Sequence, residues 1–186
     1  QKTAYEIYQC DWSSDVCSSD LPALEYFGYA EVSPRVLEAD QLYDRPGGEL
    51  RSGDRILRLR QSGETAKVTY KGPAERDLYK SREEIEFDVS DPERVRLVLD
   101  RLGFASAFRY EKFRTTFAKQ GEDGIVTLDE TPIGVFLELE GPKYWIDSTA
   151  KHLGFSVSDY VTASYAALYR DYRGTHPEAP PDMVFS

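Results

Sequence analysis

Apolar and polar residues alternate with period two through much of this chain, the signature of strands with one buried face. The pattern predicts strands over Val36 to Tyr43, Ile56 to Arg60 and Ala66 to Lys71. Pro46-Gly47-Gly48 turns the chain after the first, and Ser62-Gly63 makes a hairpin of the other two. Glu83 to Val89 sets Glu84, Glu86 and Asp88 against Ile85, Phe87 and Val89. Asp91-Pro92-Glu93 then supplies an N-cap, a first-turn proline and an acid, and Val95, Val98, Leu99 and Leu102 follow at helical spacing up to Gly103. Three more strands are predicted at Phe108 to Phe117, Gly124 to Asp129 and Val135 to Glu140. Beyond Gly141-Pro142 the period becomes helical: one helix over Lys143 to Leu153, ending at Gly154, and a second capped at Ser158-Asp159 and running to about Tyr172. Pro22 to Tyr29 reads as the remnant of a helix. The tail Gly174 to Ser186, with three prolines, is expected on the surface without regular structure.

The alternation also sorts the charges. Arg58 and Arg60 share a face of their strand, as do Lys67, Thr69 and Lys71 on the next, and Tyr110, Lys112 and Arg114 on a later one. Glu138 and Glu140 share a face with Phe136, opposite Val135, Leu137 and Leu139, and Asp129 shares one with Thr127. Two arrangements satisfy this pattern. In one, a sheet packs its apolar face on helices and leaves the other in water. In the other, seven or eight strands curl until the charged face lines a lumen, a place for a polyanion with metal. Basic pairs on three strands and acidic pairs on two favour the lumen.

Composition narrows the classes. The 186 residues carry 33 acids and 23 bases, net −10, and no apolar run approaches the roughly 20 residues of a membrane-spanning helix. A nucleic-acid-binding surface is not expected, since that needs a basic footprint. The two cysteines, Cys10 and Cys17, fall in residues 1–21, QKTAYEIYQCDWSSDVCSSDL, which have no signal-peptide pattern. This stretch resembles a translated sequencing adapter: Gln1 to Ile7 matches one constant arm, Asp11 to Leu21 the other, and Tyr8, Gln9 and Cys10 fall on the variable index. Residues 1–21 are accordingly expected to be non-native, 22–173 to form one domain and 174–186 a proline-rich tail. The remaining 165 residues hold 22 bases and 29 acids, net −7, and no cysteine, so disulfide and thiol chemistry drop out.

The ordered series LRLR (Leu57 to Arg60), TYKG (Thr69 to Gly72), EEIE (Glu83 to Glu86), EKFR (Glu111 to Arg114), LDE (Leu128 to Glu130) and GVFLELE (Gly134 to Glu140) resembles the CYTH or triphosphate tunnel metalloenzyme family. LGFS (Leu153 to Ser156) and TASY (Thr162 to Tyr165) are similar to its bacterial class IV adenylate cyclase branch. The resemblance implies an α+β fold, an antiparallel eight-stranded β-barrel with helices outside. It implies phosphate contacts from Arg58, Arg60, Lys71, Lys112 and Arg114, with Lys112, Arg114 and Asp129 as the catalytic set. Glu138 and Glu140, joined by Glu84 and Glu86, would bind Mg²⁺ or Mn²⁺, hard cations that take carboxylate oxygen. Asp129 would orient a nucleophile or a metal-bound water, or is simply an aspartate near the turn at Thr131-Pro132.

Family members open with a strand bearing Glu-x-Glu-x-Lys, and residues 1–35 do not reproduce it; Glu6 is a lone acid. The first strand is therefore expected to be missing or replaced. The resemblance implies a cytoplasmic enzyme acting on ATP, tripolyphosphate or thiamine triphosphate. It implies first a class IV adenylate cyclase, with a tri- or polyphosphatase or thiamine triphosphatase as the alternative; because basic residues alone can bind polyanions, a non-catalytic polyphosphate- or nucleotide-binding module is the third reading. Aromatic residues over Tyr160 to Tyr172 suit either a homodimer or an internal helix face. No Walker loop, Gly-x-Gly-x-x-Gly or nucleophile elbow is present, and His152 and His176 are expected to be structural.

Overall fold

In the computed structural model, which describes residues 2–10, 23–76 and 80–186, the alternating segments assemble into one antiparallel sheet. Its strands are β1 (Lys2–Cys10), β2 (Ala30–Asp44), β3 (Ile56–Ser62), β4 (Thr65–Lys71), β5 (Glu75–Arg76), β6 (Lys80–Arg82), β7 (Glu84–Val89), β8 (Ala105–Ala118), β9 (Ile125–Thr131) and β10 (Gly134–Glu140). The order across the sheet is β5-β6-β1-β10-β9-β8-β2-β3-β4-β7. Among the described residues, 23–26 are helical, and α1 (Glu49–Ser52), α2 (Pro92–Arg101), α3 (Lys143–His152) and α4 (Tyr165–Thr175) follow. The segment 11–21, with Cys17, lies outside the described residues, as does Pro22.

The expected α+β antiparallel tunnel is present, but its ring of strands is not a fully closed barrel. β7 is hydrogen-bonded to β4 along its whole length, while β6, one residue earlier, meets β1 only through Lys2↔Arg82 and Thr3↔Ser81. From Ala4 onward the described pairs of β1 are with β10. The sheet therefore curls round, and among the described residues its last seam holds by two residue pairs.

Helices cover the outer, apolar face. α3 sets Trp145, Ile146 and Ala150 on Val126, Leu137 and Leu139, all buried. α2 sets Leu99 on Tyr43, Leu59 and Val68, with Val95 packed alongside. Each large aliphatic side chain buried this way contributes about 1.5–3 kcal/mol, which commits the opposite, charged face to the interior of the curl. Asp91 caps α2 as the sequence predicts, accepting from Arg94 N. Trp145 can lie against the β9 approach only because Gly124 has no side chain; a Cβ there would overlap the indole.

Three elements differ from expectation. The second C-terminal helix starts at Tyr165, because Asp159 turns back to accept from Ser156 N and Oγ and closes a local turn, while Ser164 accepts from Ala167 N as the N-cap. α1 forms where Asp44 gathers the backbone N–H groups of Arg45, Leu50 and Arg51. The tail is irregular yet anchored: Met183 is fully buried, its N–H donates to Arg109 O, and Glu111 N–H donates to Met183 O. β9 pairs with β8 only from Phe113 onward, so the tail supplies a partner to the edge that β9 leaves at 109–111. No described helix is long and apolar enough to cross a membrane.

Candidate functional site

Inside the curl is a cavity of about 340 Å³. Arg58 and Arg60 reach it from β3, Lys67 and Lys71 from β4, Glu84 and Glu86 from β7, Lys112 and Arg114 from β8, and Glu138 and Glu140 from β10. All five bases and all four glutamates singled out in the sequence thus face one space. Asp129 lies beneath its wall, with no exposed surface.

Four of these bases are held in two pairs, each by one buried aspartate. On the β2/β3 side, Arg60 donates from Nε to Asp40 Oδ1 at 2.8 Å and from Nη2 to Oδ2 at 3.0 Å, while Arg58 Nε stands 3.4 Å from the same carboxylate. On the β8/β9 side, Asp129 accepts from Lys112 Nζ at 2.5 Å, from Arg114 Nε and Nη2 at 2.6 Å each, and from Tyr165 OH at 2.8 Å. Burial alone would raise both aspartates. For Asp40 the charges of Arg60 and then Arg58 reverse this, and for Asp129 those of Arg114 and Lys112, so both carboxyls lie below the usual carboxylate range. Burial would conversely lower Arg114, but Asp129 and Glu138 hold its guanidinium firmly charged. Tyr110, pushed up to about 12 by burial and then by Asp40, stays a neutral phenol.

Glutamates pair with the bases around the cavity. Lys71 Nζ lies 2.8 Å from Glu84, Lys67 Nζ donates to Glu86 at 2.7 Å, and Arg114 Nη2 donates to Glu138. Glu38 bridges the two groups: its Oε2 is 2.7 Å from Arg60 Nη1 and 3.7 Å from both Lys112 Nζ and Arg114 Nε. Sequence reasoning omitted Glu38 and Asp40, although Glu38-Ala39-Asp40 shows the same two-residue spacing as the pairs it did select. It also omitted Tyr165, whose ring is 5.0 Å from Lys112 Nζ, because an aromatic residue near a helix start carries no periodic signal of a site.

Among the described residues, no three His, Cys, Asp or Glu side chains are arranged to hold a metal by themselves. The donor chemistry still suits a hard cation of the magnesium kind, which takes one or two carboxylates and completes its shell with water and substrate phosphate. Glu138 and Glu140, two apart on β10 and both on the cavity, offer carboxylates of that kind. In register, β1 sets Glu6 opposite Glu138 and Ala4 opposite Glu140.

Comparison with known proteins agrees with this geometry. The model of the CYTH domain family matches residues 22–144. A Methanocaldococcus jannaschii protein named as a candidate adenylate cyclase is 38% identical over 118 residues, which is 63% of this chain and 66% of that one. The chain thus spans just under two thirds of that relative. Among solved structures, a Pyrococcus horikoshii protein superposes with a TM-score of 0.77 at 23% identity, covering 93% of this chain and 100% of its own. A Vibrio parahaemolyticus candidate adenylate cyclase gives 0.76 at 17%, covering 91% and 98%. A Hippeastrum protein described as an adenylyl cyclase candidate with a dominant triphosphatase activity gives 0.66 at 16%, covering 92% and 96%. At these identities the structures speak to the fold.

Proposed function

Because the chain belongs to the CYTH domain family, we propose that its cavity binds the triphosphate of a small molecule and, with Mg²⁺ or Mn²⁺, turns it over. The convergence of Arg58, Arg60, Lys71, Lys112 and Arg114 on one cavity is the observation that carries this reading. Arginine offers a planar fork to phosphate oxygens and lysine a compact charge, and both are already oriented by buried carboxylates. A divalent cation, when bound through Glu138 and Glu140, would neutralise phosphate charge and favour ionisation of the attacking hydroxyl or water.

As an adenylate cyclase, the enzyme would hold ATP so that the 3′-hydroxyl oxygen attacks the α-phosphorus. The bond to the β-phosphate oxygen breaks, pyrophosphate leaves against the bases, and the hydroxyl proton passes to solvent. The names of the Methanocaldococcus and Vibrio relatives support this reaction. A triphosphatase, in which water attacks the terminal phosphorus, is the second reading. It is favoured by a lining that, among the described residues, is ionic or hydroxylic, with Tyr110 and Tyr165 as its aromatics, and by the activity described for the Hippeastrum protein. A protein of this kind would work in the cytoplasm, where its substrates are.

Incubation of the chain with Mn²⁺ or Mg²⁺ and, separately, ATP, tripolyphosphate and thiamine triphosphate decides among the readings. Cyclic AMP with pyrophosphate supports the cyclase, phosphate release supports the phosphatase, and binding without turnover leaves a polyphosphate-binding module. Glu138→Gln and Glu140→Gln are each expected to abolish metal-dependent turnover; unchanged rates would refute the ligand assignment.

A further inference from the structure

Glu38 is out of place among the residues that line the cavity. It is buried, and its Oε2 makes no aligned hydrogen bond. That oxygen nonetheless lies 2.7 Å from Arg60 Nη1 and 3.7 Å from Lys112 Nζ and Arg114 Nε, so one carboxylate oxygen sits amid three cations drawn from β3 and β8. A carboxylate kept only to neutralise Arg60 would be redundant, since Asp40 already grips that guanidinium with two bonds. Asp129 does the same for Lys112 and Arg114. The position held by Glu38 Oε2 is the one an oxygen of a bound phosphate would take to touch all three bases together.

We propose that Glu38 is an internal counterion that occupies the phosphate position of the cavity and must be displaced by the incoming polyanion. The proposal rests on the reading of these bases as phosphate ligands. Its physical basis is the cost of gathering like charges: buried Lys112 and part-buried Arg60 and Arg114 repel one another without an anion between them, and Glu38 relieves this in the ligand-free protein. Any polyphosphate then binds against a competitor tethered to β2. Removing the charge of that competitor while keeping its shape strengthens binding, an unusual result for a substitution within a binding site. Because Glu38 competes for three cations at once, its neutralisation is expected to tighten tripolyphosphate binding about tenfold.

Calorimetric titration of the full chain with tripolyphosphate, in EDTA and then with Mn²⁺, tests this. Glu38→Gln is expected to bind tripolyphosphate about tenfold more tightly than wild type in EDTA. Glu38→Asp, which keeps the charge, is expected to stay close to wild type, and Glu38→Ala serves if the glutamine variant does not fold. Unchanged or weaker binding by the neutral variants, with wild-type binding measurable, overturns the counterion role. A loss of Mn²⁺ affinity in Glu38→Gln, measured without phosphate, also overturns it, by making Glu38 a metal ligand. If neither wild type nor the neutral variants bind tripolyphosphate, the assignment of the bases themselves fails.

Discussion

Asp129 shows how much of the site is supported by groups that never reach the cavity. It is fully buried and accepts four hydrogen bonds, from Lys112, Arg114 twice and Tyr165. It therefore serves as a positioning residue, and its removal leaves buried Lys112 and part-buried Arg114 without their shared anion. Asp129→Asn is expected to lower stability at neutral pH by about 3–5 kcal/mol, the usual consequence of breaking a buried pair from one side. The pH dependence has a definite sign. Because the folded carboxyl lies below its unfolded value, its contribution is complete above about pH 4 and is lost as the pH falls through the folded value. Urea midpoints measured from neutral pH downward should thus converge for wild type and Asp129→Asn on acidification; a constant gap would contradict the account. Asp129 was legible in the sequence as a candidate, but its work was not. Alternation places a side chain on a face, whereas only the pairing of Arg114 with Asp129 across β8 and β9 shows which bases it holds.

At the scale of elements, the first strand matters most. β1 occupies the place beside β10, and its register sets Ala4 and Glu6 opposite Glu140 and Glu138. The resemblance implies two acids on the first strand of a complete member, and this chain offers one. The family match itself covers residues 22–144 and does not include this strand. Ala4→Glu is expected to tighten Mn²⁺ binding several-fold, about the effect of one added carboxylate ligand; titration calorimetry showing no change would count against β1 bearing on the metal site. Most other strands were readable because each has one apolar and one charged face. β5 and β6 were not, being two and three residues long, and the start of β2 was hidden by Pro34, around which its pairing with β8 shifts. The start of α4 was misjudged because Asp159 and Ser164 are both good caps in isolation, and only the backward bonds of Asp159 to Ser156 decide between them.

For the molecule as a whole, the C-terminal tail belongs to the fold. Met183 is fully buried in the cluster that includes Tyr110, Phe136, Tyr165 and Tyr169, two of which line the cavity. Met183→Ala is expected to cost about 2–5 kcal/mol, as for other large-to-small changes in a core. It should also weaken tripolyphosphate binding, since Tyr110 and Tyr165 rest on that side chain's cluster. A variant with an unaltered melting temperature would place the tail outside the cooperative unit. The sequence hid this docking because a proline-rich stretch has no period, and its fit is set by the open edge of β8.

The two aspartate-held groups of bases have a further consequence, for entropy. Lysine and arginine side chains each lose about 2 kcal/mol of rotamer freedom when immobilised, and a surface that gathers them only as its ligand arrives bears that loss in its affinity. Here Asp40 and Asp129 immobilise four such chains during folding. The spacing of positive charge is consequently set before any anion enters, and a ligand is selected by how well its own charges match a fixed lattice.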